Sequence, residues 1–169
     1  SNLARIDGSL YGHRVSLAKD LEEMYVKTRE SGFGKEVKRR ILLGNYVLSS
    51  DHRSVYDKAT SVRSLIRSEL ESAFDDFDII LAPVTASMPF ELGGSINDPL
   101  AMYLNDYFTV PTCVAGYPGL ALPAGMSKSG LPIGIQLMGP RLSEELLLRV
   151  GAAFEEKSGF RNLAPKGYD

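Results

Sequence analysis

An α/β fold, a mixed sheet flanked by helices, is what this sequence predicts, and three observations carry it. Apolar residues recur at helical spacing as far as Asp75-Asp76. There the pattern changes to a continuous apolar run, Ile79-Ile80-Leu81-Ala82, stopped by Pro83. Two Gly- and Pro-punctuated apolar stretches then precede an amphipathic segment opened by Ser143.

The helices come first. Residues 17–29 place Leu17, Leu21, Met24, Tyr25 and Thr28 on one stripe, with Gly32 and Gly34 to end it. Residues 35–49 put Val37, Ile41, Gly44 and Leu48 at spacings of three and four, and Asp51 is placed to cap the next helix. That helix, over about 52–75, aligns Val62, Leu65, Ile66, Leu70, Ala73 and Phe74 as a buried stripe, while Arg63, Arg67 and Glu71 form a solvated face. The run Ile79–Ala82 suits a strand buried on both faces, and Asp75, Asp76 and Asp78 read as a polar connection to it. Strands at Leu120–Leu122 and Ile133–Met138 are joined through Ser127-Lys128-Ser129-Gly130. Ser143 then caps a helix with Glu144 and Glu145 in its first turn, docked by Leu146, Leu147, Val150 and Phe154. No repeats, low-complexity tracts or domain linkers interrupt the chain, and the tail from Asn162 is expected to be loosely held.

Composition narrows the class. A chain of 169 residues, 44% hydrophobic and 24% charged, is long enough for one core. Its net charge of −2 offers no basic footprint for gripping nucleic acid. The single Cys113 rules out an internal disulfide framework and, with no Cys/His cluster, argues against structural zinc. That cysteine usage fits a reducing cytoplasm, and no apolar run approaches the roughly 18 residues of a membrane span. Ser1 in place of Met is expected of a piece of a longer chain.

The stretches Gly116-Tyr117-Pro118-Gly119-Leu120-Ala121-Leu122-Pro123-Ala124-Gly125 and Gly130-Leu131-Pro132-Ile133-Gly134-Ile135-Gln136-Leu137-Met138-Gly139 suit backbone that passes close to other backbone or to a ligand. They resemble, segment by segment, the C-terminal part of amidase-signature enzymes. Ser1-Asn2-Leu3-Ala4-Arg5-Ile6-Asp7-Gly8, Gly32-Phe33-Gly34-Lys35-Glu36-Val37-Lys38-Arg39-Arg40-Ile41 and Asp98-Pro99-Leu100-Ala101-Met102-Tyr103 narrow the resemblance. Together these segments are similar to the A subunits of glutamyl-tRNA(Gln) and aspartyl-tRNA(Asn) amidotransferases, in the same order and over nearly the whole chain.

Catalysis in that family uses a serine nucleophile, a second serine and a lysine base, with the serines in a Gly-Gly-Ser-Ser-Gly-Gly-like run. No such run exists here. Gly93-Gly94-Ser95 continues into Ile96-Asn97-Asp98-Pro99, and reads as a turn. The resemblance therefore implies the C-terminal part of a single amidase domain, with no catalytic residue in this chain.

Glutamine carries an α-carboxylate and an α-ammonium, so a glutaminase needs a fixed cation and a fixed anion; arginine's fork suits the first. By resemblance, Arg40 and Asp106 match the family's glutamine-binding pair. Read from the residues alone, Lys38, Arg39 and Arg40 are a solvated patch and Asp106 is a cap. Arg40 lies nearer the Val37, Ile41 and Gly44 stripe than Arg39 does, although a one-residue deletion near Ala59–Val62 in the family alignment leaves Arg39 as an alternative. His13 and His52 read as structural or exposed, and Cys113 as a small buried hydrophobe.

The resemblance implies hydrolysis of glutamine to supply ammonia for amidating mischarged Glu-tRNA(Gln) or Asp-tRNA(Asn). It also implies partner subunits B and C in a heterotrimer, with ATP and magnesium used by a partner and no cofactor or metal in this chain. The alternatives are another amidase-signature hydrolase of small amides, or a non-catalytic interaction fragment.

Overall fold

The computed structural model describes residues 2–92 and 99–160. The Gly93-Gly94-Ser95 turn and the tail from Asn162 lie outside the described residues. The chain divides into two compact units, Ser1–Ser61 and Val62–Asp169, and the division falls within a helix rather than in a Pro- or Gly-rich linker.

In the first unit, 3-10 turns at Asn2–Arg5 and Ser50–His52 bracket helices α1 (Leu21–Gly32) and α2 (Lys35–Leu48), and both turns contact α2. Helix α1 begins later than its apolar spacing predicts. The cause is Asp20, whose carboxylate accepts from Glu23 N at 2.7 Å and so satisfies a first-turn amide. Leu17 is left outside the helix and exposed, while Met24 and Thr28 are buried. In α2 the residues Val37, Ile41 and Gly44 are half-buried as their spacing predicts; Leu48 is exposed and Val47 takes its place. Asp51 sits inside the 3-10 turn rather than at a helix cap.

Helix α3 (Arg53–Asp76) carries the chain into the second unit. Its predicted stripe holds only toward the C-terminal end: Ile66, Leu70, Ala73 and Phe74 are half-buried, whereas Val62 and Leu65 are exposed. Arg63 is not simply solvated, because its Nε donates to Val114 O at 2.9 Å.

Strand β1 (Ile80–Pro83) is followed by short helices α4 (Pro99–Asn105) and α5 (Val110–Ala115). Strands β2 (Gly119–Met126) and β3 (Pro132–Met138) and helix α6 (Glu144–Ser158) complete the order. The sheet order is β1-β3-β2, and both pairings are antiparallel, so the parallel pairing of a mixed sheet is not among the described residues. Strand β1 was expected to be buried on both faces. Among the described residues it is an edge strand with alternating burial, Ile80 and Ala82 half-buried and Leu81 exposed, and Pro83 at its end has no N–H to lose.

Strands β2 and β3 form a hairpin whose turn is closed by Ser127 N to Leu131 O at 2.8 Å. A bulge between Pro123 and Gly125 breaks their register. Gly125 has φ +143°, and a Cβ there would sit 3.3 Å from the Phe160 ring, so the bulge needs glycine twice over. Leu122, Leu137 and Leu147 form the buried core, with Ile79, Leu120, Ile135, Val150 and Phe154 around it, and this packs α6 onto one face of the sheet. Ser143 precedes α6 but makes no side-chain cap; its hydroxyl donates to Pro140 O at 2.7 Å instead.

Candidate functional site

Arg40 falls in the first unit and Asp106 in the second. Arg40 lies on the exposed side of α2, where one carboxylate serves two arginines. Glu36, one turn earlier, is in reach of both by i,i+3 and i,i+4 spacing. Arg39 binds it twice, through Nε at 2.9 Å and Nη2 at 2.8 Å, while Arg40 binds it once, through Nε at 3.0 Å. The side chains of Arg39 and Arg40 are 51% and 60% exposed, so Arg40 does not lean into the apolar stripe as its position predicts. What separates the two is how each guanidinium is used. Arg39 has its fork on Glu36, and Arg40 commits a single edge nitrogen.

Hydrogen bonds from Arg39 first and Arg40 second, with their charges, hold the Glu36 carboxyl down to about 2 from an ordinary 4.5. A depressed carboxyl stabilises the folded state fully above its unfolded value of 4.5, and that contribution is lost as pH falls through about 2. Because the cluster is solvent-facing, its worth to the fold is small and screened by salt. The Glu36 carboxyl resonance is therefore expected to titrate near pH 2 at low salt. Arg39→Gln should raise that midpoint more than Arg40→Gln does, and a midpoint near 4.5 in the unaltered chain would contradict the arrangement.

Asp106 sits in the turn between α4 and α5. Its carbonyl accepts from Thr109 N at 3.2 Å and Val110 N at 3.0 Å, and its own N–H donates to Tyr103 O at 3.2 Å. The side chain is exposed and has no ion pair among the described residues. The cap of α5 is Thr109 and carries no side-chain bond, so Asp106 does not cap that helix with its carboxylate as the residues alone suggest.

Next to that turn is a cleft of 560 Å³, lined among others by Pro83, Ser87, Met88, Asn105 and Gly134. Its size lies in the range of small-molecule sites. Asn105 adjoins Asp106 and its side-chain oxygen faces the Ser87 hydroxyl at 3.4 Å, but Asp106 does not line the cleft. The segment that follows β1, Val84-Thr85-Ala86-Ser87-Met88-Pro89, gave no sign of it, since a cleft arises from where loops are held.

Sequence reasoning also missed Gln136, a buried side chain of β3 whose amide donates to Phe108 O at 2.7 Å and to Pro83 O at 3.3 Å. The signal was present: a glutamine between Ile135 and Leu137 in an otherwise apolar strand needs partners. Tyr117 is likewise buried, its ring 5.2 Å from that of Phe74. Burial pushes its phenol up, and the Glu71 charge adds to this through space, since the hydroxyl has no partner in hydrogen-bonding geometry among the described residues.

Cys113 is exposed, contrary to its reading as a buried hydrophobe. His13 is exposed and His52 is half-buried, its ring 3.8 Å from that of Tyr46, which fits structural roles. Among the described residues no three His, Cys, Asp or Glu side chains group to hold a metal ion, and no helix is long and apolar enough to cross a membrane.

Comparison with known proteins gives this geometry a setting. The amidase family model matches residues 1–148. The A subunit of the glutamyl-tRNA(Gln) amidotransferase of Rhodospirillum rubrum is 51% identical over 161 residues, covering 95% of this chain and 32% of that protein. Its namesake from Ligilactobacillus salivarius is 47% identical, covering 98% of this chain and 34% of that protein. The chain thus spans about a third of the length of these curated relatives. Among solved structures, the A subunit of the Thermotoga maritima glutamyl-tRNA(Gln) amidotransferase superposes with a TM-score of 0.61 at 38% identity, over 82% of this chain and 30% of that one. An amidase superposes with a TM-score of 0.62 at 26% identity, over 82% of this chain and 32% of that one.

Proposed function

The chain belongs to the amidase family, and on that premise we propose that it is the C-terminal part of the glutamine-hydrolysing A subunit of a tRNA-dependent amidotransferase. The observation that carries this reading is an identity of about half with A subunits of such enzymes along nearly the whole chain.

In this reading Arg40 binds the α-carboxylate of glutamine and Asp106 its α-ammonium. Arginine's remaining N–H groups suit a carboxylate, and Arg40 keeps them while Arg39 has its fork on Glu36. Asp106 offers an exposed carboxylate on a turn whose backbone is already closed. The chemistry belongs to a serine outside this chain. Its oxygen bonds to the side-chain carbonyl carbon of glutamine, the C–N bond breaks, and ammonia leaves with the proton that the lysine base took from the serine hydroxyl. Water then hydrolyses the glutamyl ester to glutamate.

The ammonia would amidate Glu-tRNA(Gln) or Asp-tRNA(Asn) in the cytoplasm, in an assembly with subunits B and C, where a partner subunit uses ATP and magnesium. A stand-alone hydrolase of small amides would instead purify without partners, and copurification separates the two readings. An intact reading frame that lacks the upstream lysine and serine run would favour the interaction fragment.

This chain alone is expected to release no ammonia from glutamine, because positioning residues without a nucleophile and base form no acyl-enzyme. Ammonia release by the purified chain, above a protein-free control and abolished by Arg40→Ala, would overturn the division of labour.

A further inference from the structure

Gln136 stands in β3, the central strand, with its side chain buried. A primary amide deprived of water destabilises the fold unless its donors and acceptor are used. Here the two donors go to carbonyls of separate segments, Phe108 O at 2.7 Å and Pro83 O at 3.3 Å. Since both partners are acceptors, only the NH2 end can face them.

The strand pattern makes room for this. By alternation Gln136 points away from the Leu137 face that α6 covers, and its cross-strand neighbours are Ala82 on β1 and Ala121 on β2. Two alanines beside a glutamine leave space for backbone to approach the sheet. The backbone that comes is Phe108, two residues past Asp106 in the same turn. The turn is closed internally by the bonds from Thr109 N and Val110 N to Asp106 O, so a bond to Phe108 O fixes the turn as a whole. The second bond, to Pro83 O, keeps the amide from rotating.

We propose that Gln136 is a positioning residue for glutamine binding, which fixes the Asp106 turn on the central strand and so sets where the carboxylate meets the substrate ammonium. The proposal rests on the reading of Asp106 given above.

The test uses the complete amidotransferase with Gln136→Met, which keeps length and removes both donors. Misplacing a binding group by about an ångström costs up to roughly 100-fold. The KM for glutamine should therefore rise on the order of 10- to 100-fold, with the ammonia-dependent reaction unchanged. Hydrogen exchange at Thr109 and Val110 should quicken while the amides of β2 and β3 keep their protection. If Gln136→Met fails to assemble, Gln136→Asn, which keeps the amide but falls short of Phe108, carries the same expectations. An unchanged glutamine KM, a parallel loss of the glutamine- and ammonia-dependent reactions, or exchange that quickens evenly through the sheet would each overturn the proposal. Asp106→Asn measured beside it separates the two claims. If Asp106→Asn leaves the glutamine KM unchanged, the reading of Asp106 fails; if it raises the KM and Gln136→Met does not, the positioning role fails.

Discussion

In the complete enzyme, Asp106→Asn and Arg40→Lys are each expected to lower kcat/KM for glutamine by about 10- to 150-fold while leaving amidation from free ammonia intact. The first change keeps shape and removes the charge proposed to face the substrate ammonium. The second keeps charge but replaces a planar fork by a single ammonium, losing the paired grip on the carboxylate. A charge-assisted hydrogen bond in a closed site contributes about 1.5–3 kcal/mol, and each ~1.4 kcal/mol is tenfold in rate. Ammonia added to the assay needs neither handle.

Glu36 sharpens the expectation for the arginine. Arg39 has two nitrogens on Glu36 and Arg40 has one, so Arg39→Lys should leave glutamine kinetics near those of the unaltered enzyme. If Arg39→Lys produced the loss and Arg40→Lys did not, the carboxylate role would pass to Arg39. If any of these variants lost the ammonia-dependent reaction in proportion, with the assembly intact, its residue would serve something other than glutamine binding.

What the sequence made legible and what it hid have the same physical origin. Helical spacing located α1, α2, α3 and α6 because amphipathic periodicity is local. Which part of a stripe is covered is not local: Ile66 and Phe74 are half-buried on α3 while Val62 and Leu65, at equivalent spacing, are exposed. The run Ile79–Ala82 read as a doubly buried strand because apolarity alone cannot tell a central strand from an edge; among the described residues its one pairing is with β3. Ser143 was the cap the sequence offered, yet it makes no cap bond and its backbone is not extended, whereas Asp20, with an extended backbone, bonds a first-turn amide.

The candidate site was read in a different way. Arg40 and Asp106 came from motif resemblance, and nothing in periodicity singles them out. The Glu36 cluster follows from spacings of three and four and could have been read directly. Gln136 was readable as an exception to an apolar strand, but its partners, 28 and 53 residues away in sequence, were not.

Replacement of Leu147 by alanine is expected to destabilise the second unit toward the upper end of the roughly 2–5 kcal/mol seen for buried leucines. Leu147 is 2% exposed and joins Leu122 and Leu137 in the core that fastens α6 to the sheet. The cost depends on whether the helix can settle into the space left behind. It has little freedom to do so. One turn further along, a Cβ placed on Gly151 would already lie 2.6 Å from Leu120 Cδ2, so the helix backbone is as close to β2 as its side chains permit. The cavity should stay open, and the lost contacts should not be recovered. Leu148→Ala removes the same atoms from a residue of the same helix that is 62% exposed and should stay within about 0.5 kcal/mol. Urea or thermal melts of the two variants beside the unaltered protein give the comparison directly, with a lowered midpoint expected for Leu147→Ala alone. Equal midpoints for the two would mean that α6 is not held on the sheet by Leu147, and the packing described for the core would be wrong.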